Sequence, residues 1–337
     1  MIAAMRAAPT GEEFFRIEGL TKLYPVLRRG LFRTREAGVI RAVDDISFSI
    51  RRGETLGLVG ESGCGKTTTA RTILHLVEPT SGSVHFDDID ILRVFREGRR
   101  EEELAVRRGI QYVFQDPYLS LNPRWSVAQT IYEPLRVHGH VPRDQWENRL
   151  MELLDLVGLE EYHAWRYPHE FSGGQRQRVG IARALAVEPS IVICDEPVSS
   201  LDVSVRAQIL NLLAELQESL GLTYLYISHD LGSVRYISDR VAVMYLGKIV
   251  EIAGVDELFA HPRHHYTHAL LAAIPVPDPD VRAGRSLLKG EVPSAMNMPA
   301  GCRFHTRCPA ALPQCRDIPP PLVPTEGDHL VACHNPR

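Results

Sequence analysis

The stretch Gly60-Glu61-Ser62-Gly63-Cys64-Gly65-Lys66-Thr67-Thr68 narrows most what this chain can fold into. It fits G-x-x-x-x-G-K-[ST], the pattern of a phosphate-binding P-loop. The pattern has meaning only between a strand and a helix, and both flanks comply. Thr55-Leu56-Gly57-Leu58-Val59 is apolar enough for a buried strand, and residues 69–77 read as a helix. The glycines let backbone N–H groups turn inward around phosphates, and the helix N-terminus adds its positive end. Lys66 then reaches the β- and γ-phosphates and Thr67 holds Mg²⁺ through its hydroxyl. Gly60, Ser62, Gly63, Cys64, Gly65 and Thr68 complete the cradle.

Bulk properties exclude several classes. The formal charge of −4, from 38 basic and 42 acidic residues, is not that of a nucleic-acid binder. No run of about 18 uncharged apolar residues occurs, so no membrane span is expected. The opening Met1-Ile2-Ala3-Ala4-Met5-Arg6 lacks a signal-peptide core. The expectation is a cytosolic chain whose membrane role, if any, comes through partners. Its six cysteines read as thiols or metal ligands rather than disulfides.

Along the chain, Phe14-Phe15-Arg16-Ile17-Glu18 predicts a first strand, and the arginine-rich residues 28–41 a solvated loop. Ile46, Phe48 and Ile50 alternate with polar residues, a strand with one buried face. Gln111-Tyr112-Val113-Phe114-Gln115 reads as a buried strand ending in the proline-bounded loop 116–123. Residues 126–187 look helical, with Trp146, Leu150, Leu153, Leu154 and Val157 forming an apolar stripe. Ile191-Val192-Ile193-Cys194 is a central strand whose C-terminal end carries Asp195 and Glu196. An amphipathic helix follows over 205–220, then strand 223–228 ending at His229, then a hairpin turning at Leu246-Gly247. Beyond about Phe259 the composition shifts: 13 of the 23 prolines lie in residues 262–337, which predicts a separate, poorly helical tail.

These motifs, in this order, resemble the ATP-binding subunits of ABC transporters over roughly residues 14–260. Phe171-Ser172-Gly173-Gly174-Gln175 is similar to the family signature, with Phe171 in place of the usual Leu. The resemblance makes Gln115 the Q-loop glutamine, Asp195-Glu196 the end of Walker B, Ser200-Leu201-Asp202 the D-loop and His229 the switch histidine. Tyr24 stands where the family stacks an aromatic on adenine. It implies ATP as ligand and Mg²⁺ held through Thr67, Gln115 and Asp195. Glu196 then polarises the attacking water, with His229 and Gln115 completing the catalytic set. Ser172, Gly173, Gly174 and Gln175 contact the nucleotide of the other subunit, so two subunits sandwich ATP head to tail. The implied fold is α/β: a P-loop NTPase (RecA-like) core over residues 1–260 with an antiparallel β subdomain and an inserted helical subdomain at about 118–180. A Cys/Pro-rich extension over 261–337 follows.

A finer resemblance is to the ATPase subunits of oligopeptide and dipeptide permeases. It rests on Gln115-Asp116-Pro117-Tyr118-Leu119-Ser120-Leu121-Asn122-Pro123-Arg124, on the basic insert between Tyr24 and Val43, and on the tail. In the tail it is carried by His264-His265-Tyr266-Thr267 and by residues 302–309. The implied function is the ATPase motor of an importer, peripheral on the cytoplasmic face of the inner membrane. Its implied partners are two transmembrane permease subunits, a second ABC ATPase (a paralogue or a second copy) and, indirectly, a substrate-binding protein, with no nucleic acid. Cargo stays open among dipeptides, oligopeptides, nickel and glutathione. The competing function is a soluble ATPase of the same superfamily in DNA repair or translation. Against it stand one cassette, no long insert between Lys66 and Ser172, and the acidic balance.

Cys302, Cys308, Cys315 and Cys333 are spaced C-x5-C-x6-C-x17-C, which suits zinc poorly. Four cysteines suffice for a cubane cluster, and some peptide-permease ATPases carry a [4Fe–4S] cluster on a C-terminal quartet similar to this one. Zinc and four free thiols remain the alternatives.

Overall fold

The computed structural model describes residues 13–29, 34–274 and 292–337. The chain divides into two compact units. The first comprises residues 1–15, 50–55 and 86–228; the second comprises 16–49, 56–85 and 229–337.

The second unit opens with β1 (Glu13–Arg29) and β2 (Thr34–Arg51), most of whose lengths it holds. In β2 the expected alternation is present: Val43, Ile46, Phe48 and Ile50 are buried while Asp45 and Ser47 are exposed. The loop expected over 28–41 is mostly strand, because only residues 30–33 separate β1 from β2. Val26 on one side and Val39-Ile40 on the other supply strand-forming residues, and counting arginines hid them. Arg33 lies outside the described residues. β3 (Thr55–Val59) is buried at every position and leads through the glycine loop into α1 (Lys66–Ile73). The helix stops short of the expected Val77, because His75 takes a left-handed φ of 52°. β4 (Ser81–Phe86) lies beside β1 in the order β2-β1-β4, with the Thr80 N–H donating to the Thr21 carbonyl at 2.8 Å.

The first unit continues with β5 (Ile89–Asp90), α2 (Ile91–Glu97) and α3 (Arg100–Gly109). Asp90 caps α2 by accepting from the N–H groups of Leu92 and Arg93. β6 (Ile110–Val113) ends two residues earlier than expected, leaving Phe114 and Gln115 beyond it and exposed. The helical part holds α4 (Pro117–Ser120), α5 (Val127–His138), α6 (Trp146–Leu156) and α7 (Gly173–Leu185). Leu150, Leu153, Leu154 and Val157 are buried along the predicted stripe. β7 (Ile191–Asp195), α8 (Val203–Leu220) and β8 (Thr223–Ser228) complete the unit. β6, β7 and β8 run parallel, with Val113 opposite Cys194 and Cys194 opposite Tyr226. Their C-terminal ends therefore share one edge, the side on which α/β sheets bind ligands.

The second unit resumes with α9 (Leu231–Ile237), β9 (Arg240–Tyr245) and β10 (Lys248–Gly254). β9 pairs parallel with β3 and antiparallel with β10. Leu246 and Gly247 turn the hairpin at φ 44° and 82°, the left-handed pair a two-residue loop of this kind requires. After α10 (Val255–Ala260) comes α11 (His265–Ala272), a helix that the proline count concealed. β11 (Val323–Pro324) and β12 (Leu330–Val331) return the chain to the sheet, with β12 pairing on β10 through Glu251–Val331 and Ile252–Leu330. Phe304 is 1% exposed and packs on Tyr245 and Tyr266 at ring distances of 5.4 and 5.5 Å. The described residues after Phe259 are thus tied to the strands of their own unit. Among the described residues no helix is long and apolar enough to cross a membrane.

Candidate functional site

In the second unit, the glycine loop is shaped by close backbone packing. A Cβ on Gly60 would sit 2.1 Å from the Met244 carbonyl oxygen, and one on Gly65 would sit 2.2 Å from that of Ala42. Gly65 is also the N-cap of α1 at φ 116°, and no side chain caps this helix. An end of α1 without a side-chain cap suits an anion bound at the helix N-terminus. Lys66 is buried and folded across the loop, donating to the carbonyls of Gly60 at 2.8 Å and Glu61 at 3.2 Å. Thr67 and Thr68 open α1, and the Thr68 carbonyl accepts from Thr72 Oγ1 at 2.7 Å. Ser62 and Gly63 are exposed, while Cys64 is buried; burial pushes its thiol pKa up. The loop fits a polyphosphate. Tyr24, half-buried on β1, has Lys22 Nζ 4.9 Å from its ring centroid. His229 is exposed just before α9, whose cap Asp230 accepts from the Gly232 N–H at 3.1 Å.

In the first unit, the carboxylates at the end of β7 are already engaged. Asp195 is buried and accepts from Tyr112 Oη at 2.6 Å. Glu196 takes φ 47°, and its N–H extends the ladder to the Ile227 carbonyl at 2.8 Å. Its Oε2 accepts from Gln115 Nε2 at 2.9 Å. Gln115 and Glu196, 81 residues apart, are therefore brought together. Tyr112 was not singled out from the sequence: its role depends on β6 lying beside β7, which no local pattern reports.

The same unit builds the Ser172–Gln175 corner. Ser172 caps α7: its Oγ accepts from the Gln175 N–H at 3.3 Å, and its own N–H donates to Gln175 Oε1 at 3.0 Å. This reciprocal capping box is legible as S-x-x-Q. A Cβ on Gly174 would lie 2.3 Å from Val205 Cγ1, and one on Gly173 would lie 3.2 Å from Leu201. Gly173 thus brings α7 against the Ser200-Leu201-Asp202 turn and Gly174 brings it against α8, at whose start Asp202 is exposed. The loop after Gln115 is braced from α7. Arg183 Nη1 donates to the Ser120 carbonyl at 2.7 Å, and the Arg176 guanidinium lies 5.6 Å from the Tyr118 ring centroid. Tyr118 and Leu119 are exposed, Leu119 by 81%, whereas Leu121 is buried.

In the second unit, burial pushes the Cys302 thiol up to about 11, with the thiols of Cys315, Cys333 and Cys308 adding to the rise. The four therefore share one electrostatic neighbourhood. The Asn335 N–H donates to Cys333 Sγ at 3.4 Å. Among the described residues no group of three or more His, Cys, Asp or Glu is arranged to hold a metal ion. The quartet expected to bind a cluster is thus gathered in one region without being arranged as a mononuclear site.

An open phosphate cradle and a carboxylate pair at parallel strand ends define a P-loop ATPase, and comparison with known proteins refines the class. The family profile described as ABC transporter matches residues 43–199, and that described as Oligopeptide/dipeptide transporter, C-terminal region, matches 250–315. Oligopeptide transport ATP-binding protein AppF of Bacillus subtilis is 50% identical over 97% of this chain and 98% of its own length. A probable peptide ABC transporter ATP-binding protein of Sinorhizobium fredii is 53% identical over 96% of this chain and 90% of its own. Among solved structures, the dimeric ATP-binding cassette MJ0796 bound to ADP and Pi superimposes with a TM-score of 0.61 at 29% identity, covering 72% of this chain and 98% of that one. CbiO1 of Clostridium perfringens, part of an ABC transporter complex, gives 0.61 at 30% identity, covering 74% and 91%. The chain belongs to the ABC transporter ATP-binding proteins that carry the oligopeptide/dipeptide C-terminal region. It is an ATP-hydrolysing subunit, and the reading as a soluble ATPase of DNA repair or translation is not supported.

Proposed function

We propose that this chain is the motor of a di- or oligopeptide importer, acting peripherally on the cytoplasmic face of the cell membrane. The observation that carries it is one chain combining the cassette over 43–199 with the oligopeptide/dipeptide C-terminal region over 250–315. Two ATPase subunits close on ATP and reopen after hydrolysis. Two permease subunits convert that motion into access, and a substrate-binding protein delivers the peptide. The exposed Tyr118 and Leu119, braced from α7, offer the permease an apolar contact.

Each residue then has a task. The N–H groups opening α1 hold the phosphates. Lys66 leaves the Gly60 and Glu61 carbonyls to reach the β- and γ-phosphates. Thr67, Gln115 and Asp195 would hold Mg²⁺, which would neutralise charge on the phosphate oxygens. Gln115 keeps Glu196 oriented until a water takes its place, and Glu196 then positions and polarises that water. His229 donates to the γ-phosphate, and Tyr24 stacks on adenine. Ser172, Gly173, Gly174 and Gln175 of each subunit close on the nucleotide of the other, with Asp202 beside them. As a test, the chain is captured from detergent-solubilised membranes and its partners identified. Two permease subunits and an ATPase should accompany it; recovery of the chain without membrane proteins would overturn the assignment.

For Cys302, Cys308, Cys315 and Cys333, the reading that fits is an iron–sulfur cluster. N–H groups directed at sulfur stabilise the thiolates of such a cluster. The Asn335 N–H directed at Cys333 Sγ is of this kind. Protein purified without oxygen should be brown, with a broad absorption shoulder near ~400 nm. Cys308→Ser should bleach it while ATP binding survives. A colourless anaerobic preparation would refute the cluster.

A further inference from the structure

The C-terminal region reaches the phosphate-binding loop at Glu61, the second residue of the P-loop motif. The Glu61 carboxylate accepts from Arg307 Nη1 at 2.9 Å and from Nη2 at 3.2 Å. This forked, two-point contact is one that only a planar guanidinium makes. It is sheltered: the Arg307 side chain is 7% exposed and that of Glu61 26%. Arg307 Nη1 also donates to Tyr245 Oη at 3.4 Å. The Glu61 N–H donates to Tyr266 Oη at 2.9 Å, from a tyrosine buried at the start of α11. The Glu61 carbonyl, in turn, accepts from Lys66 Nζ and from the Cys64 N–H. One residue of the loop is therefore held on its N–H and its carboxylate by residues beyond 260, and on its carbonyl by the lysine expected to meet phosphate.

A second brace runs parallel to it. Arg303 donates to the Leu246 carbonyl and pairs with Asp44, and the Gly247 N–H donates to the Cys64 carbonyl at 2.7 Å. Arg303, Phe304 and Arg307 lie in one short segment, with Phe304 as its buried anchor on Tyr245 and Tyr266.

We propose that Arg307 is a positioning residue for ATP binding, fixing the phosphate loop through Glu61 so that the C-terminal region sets nucleotide affinity. The inference rests on the reading of this loop as the ATP site. Without Arg307, the Glu61 carboxylate loses its partner and the loop loses the geometry that presents its N–H groups. Phosphate contacts weaken while the groups that act on water in the first unit are untouched, so the change falls on KM rather than kcat.

The test measures ATP affinity, KM and kcat for the full chain and for Arg307→Ala, Glu61→Gln, the double variant and Arg307→Lys. Losing a charge-assisted hydrogen bond should raise KM for ATP about tenfold in either single variant, with kcat held within about twofold. The double variant should be no worse than the singles, because both remove one interaction. Arg307→Lys should recover part of the loss, since it restores charge but not the fork. Unchanged KM in both single variants, or additive losses in the double, would overturn the inference. So would a matching fall in kcat. If the wild-type chain itself bound no ATP, the reading of the loop would fail instead. Glu61→Gln keeps the size of its side chain, so the question is answered even if Arg307→Ala folds poorly.

Discussion

Gln115 and Glu196 show how a proposed catalytic pair can be legible in residue type and invisible in geometry. The sequence places a glutamine at the end of one apolar run and a glutamate at the end of another. It does not show that β6 and β7 are neighbours, which is what puts Gln115 Nε2 2.9 Å from Glu196. The left-handed φ of 47° at Glu196 bends the chain off the strand at that point, a conformation costing about 1–3 kcal/mol that persists where function holds it. A different residue governs behaviour in acid. His264 is buried, and its imidazole caps α11 by accepting from the Tyr266 N–H at 3.0 Å. Burial pulls its pKa from 6.5 down to about 4, against the opposing pull of Glu251, with His265 adding to the fall. The native state refuses a proton that the unfolded chain accepts, so this contribution to stability is whole above pH 6.5 and is lost as pH falls toward 4. His264→Asn keeps a cap acceptor and removes the titration. Over that window the wild type should lose up to about 3 kcal/mol more unfolding free energy than the variant. Denaturant titrations at the two ends of the range check it, and equal losses would exonerate His264.

At the scale of elements, legibility followed local pattern. The strand–loop–helix around Lys66, the alternation in β2 and the stripe of α6 each depend on residues within about two turns or one strand of each other. All three are present, although the helix after Lys66 ends at Ile73 rather than at Val77. What was missed depends on distant partners or short lengths. β12 has two residues, too few to carry a period, and exists because β10 offers it an edge. The helix α11 lies in a stretch whose prolines pointed to irregular chain, yet His264 and the buried Tyr266 fix its start. Arg303 looked like one more basic residue; its worth comes from meeting Asp44, 259 residues away. The Ser172–Gln175 capping box makes its serine a structural cap as well as a proposed nucleotide contact.

For the whole molecule, the account joins an ATPase cassette to a C-terminal region that returns to the cassette's own loop. The central claim is that hydrolysis at Glu196 drives peptide entry. In that scheme the P-loop supplies most of the binding and Glu196 supplies the water, so the two functions separate by mutation. The direct measurement is ATP-dependent uptake of a labelled oligopeptide into vesicles carrying the transporter, alongside ATP turnover and affinity, for the wild type and Glu196→Gln. The account predicts that the variant binds ATP as tightly as the wild type while turnover and uptake fall together by about a hundredfold or more. Uptake and turnover near wild-type levels in Glu196→Gln would contradict it.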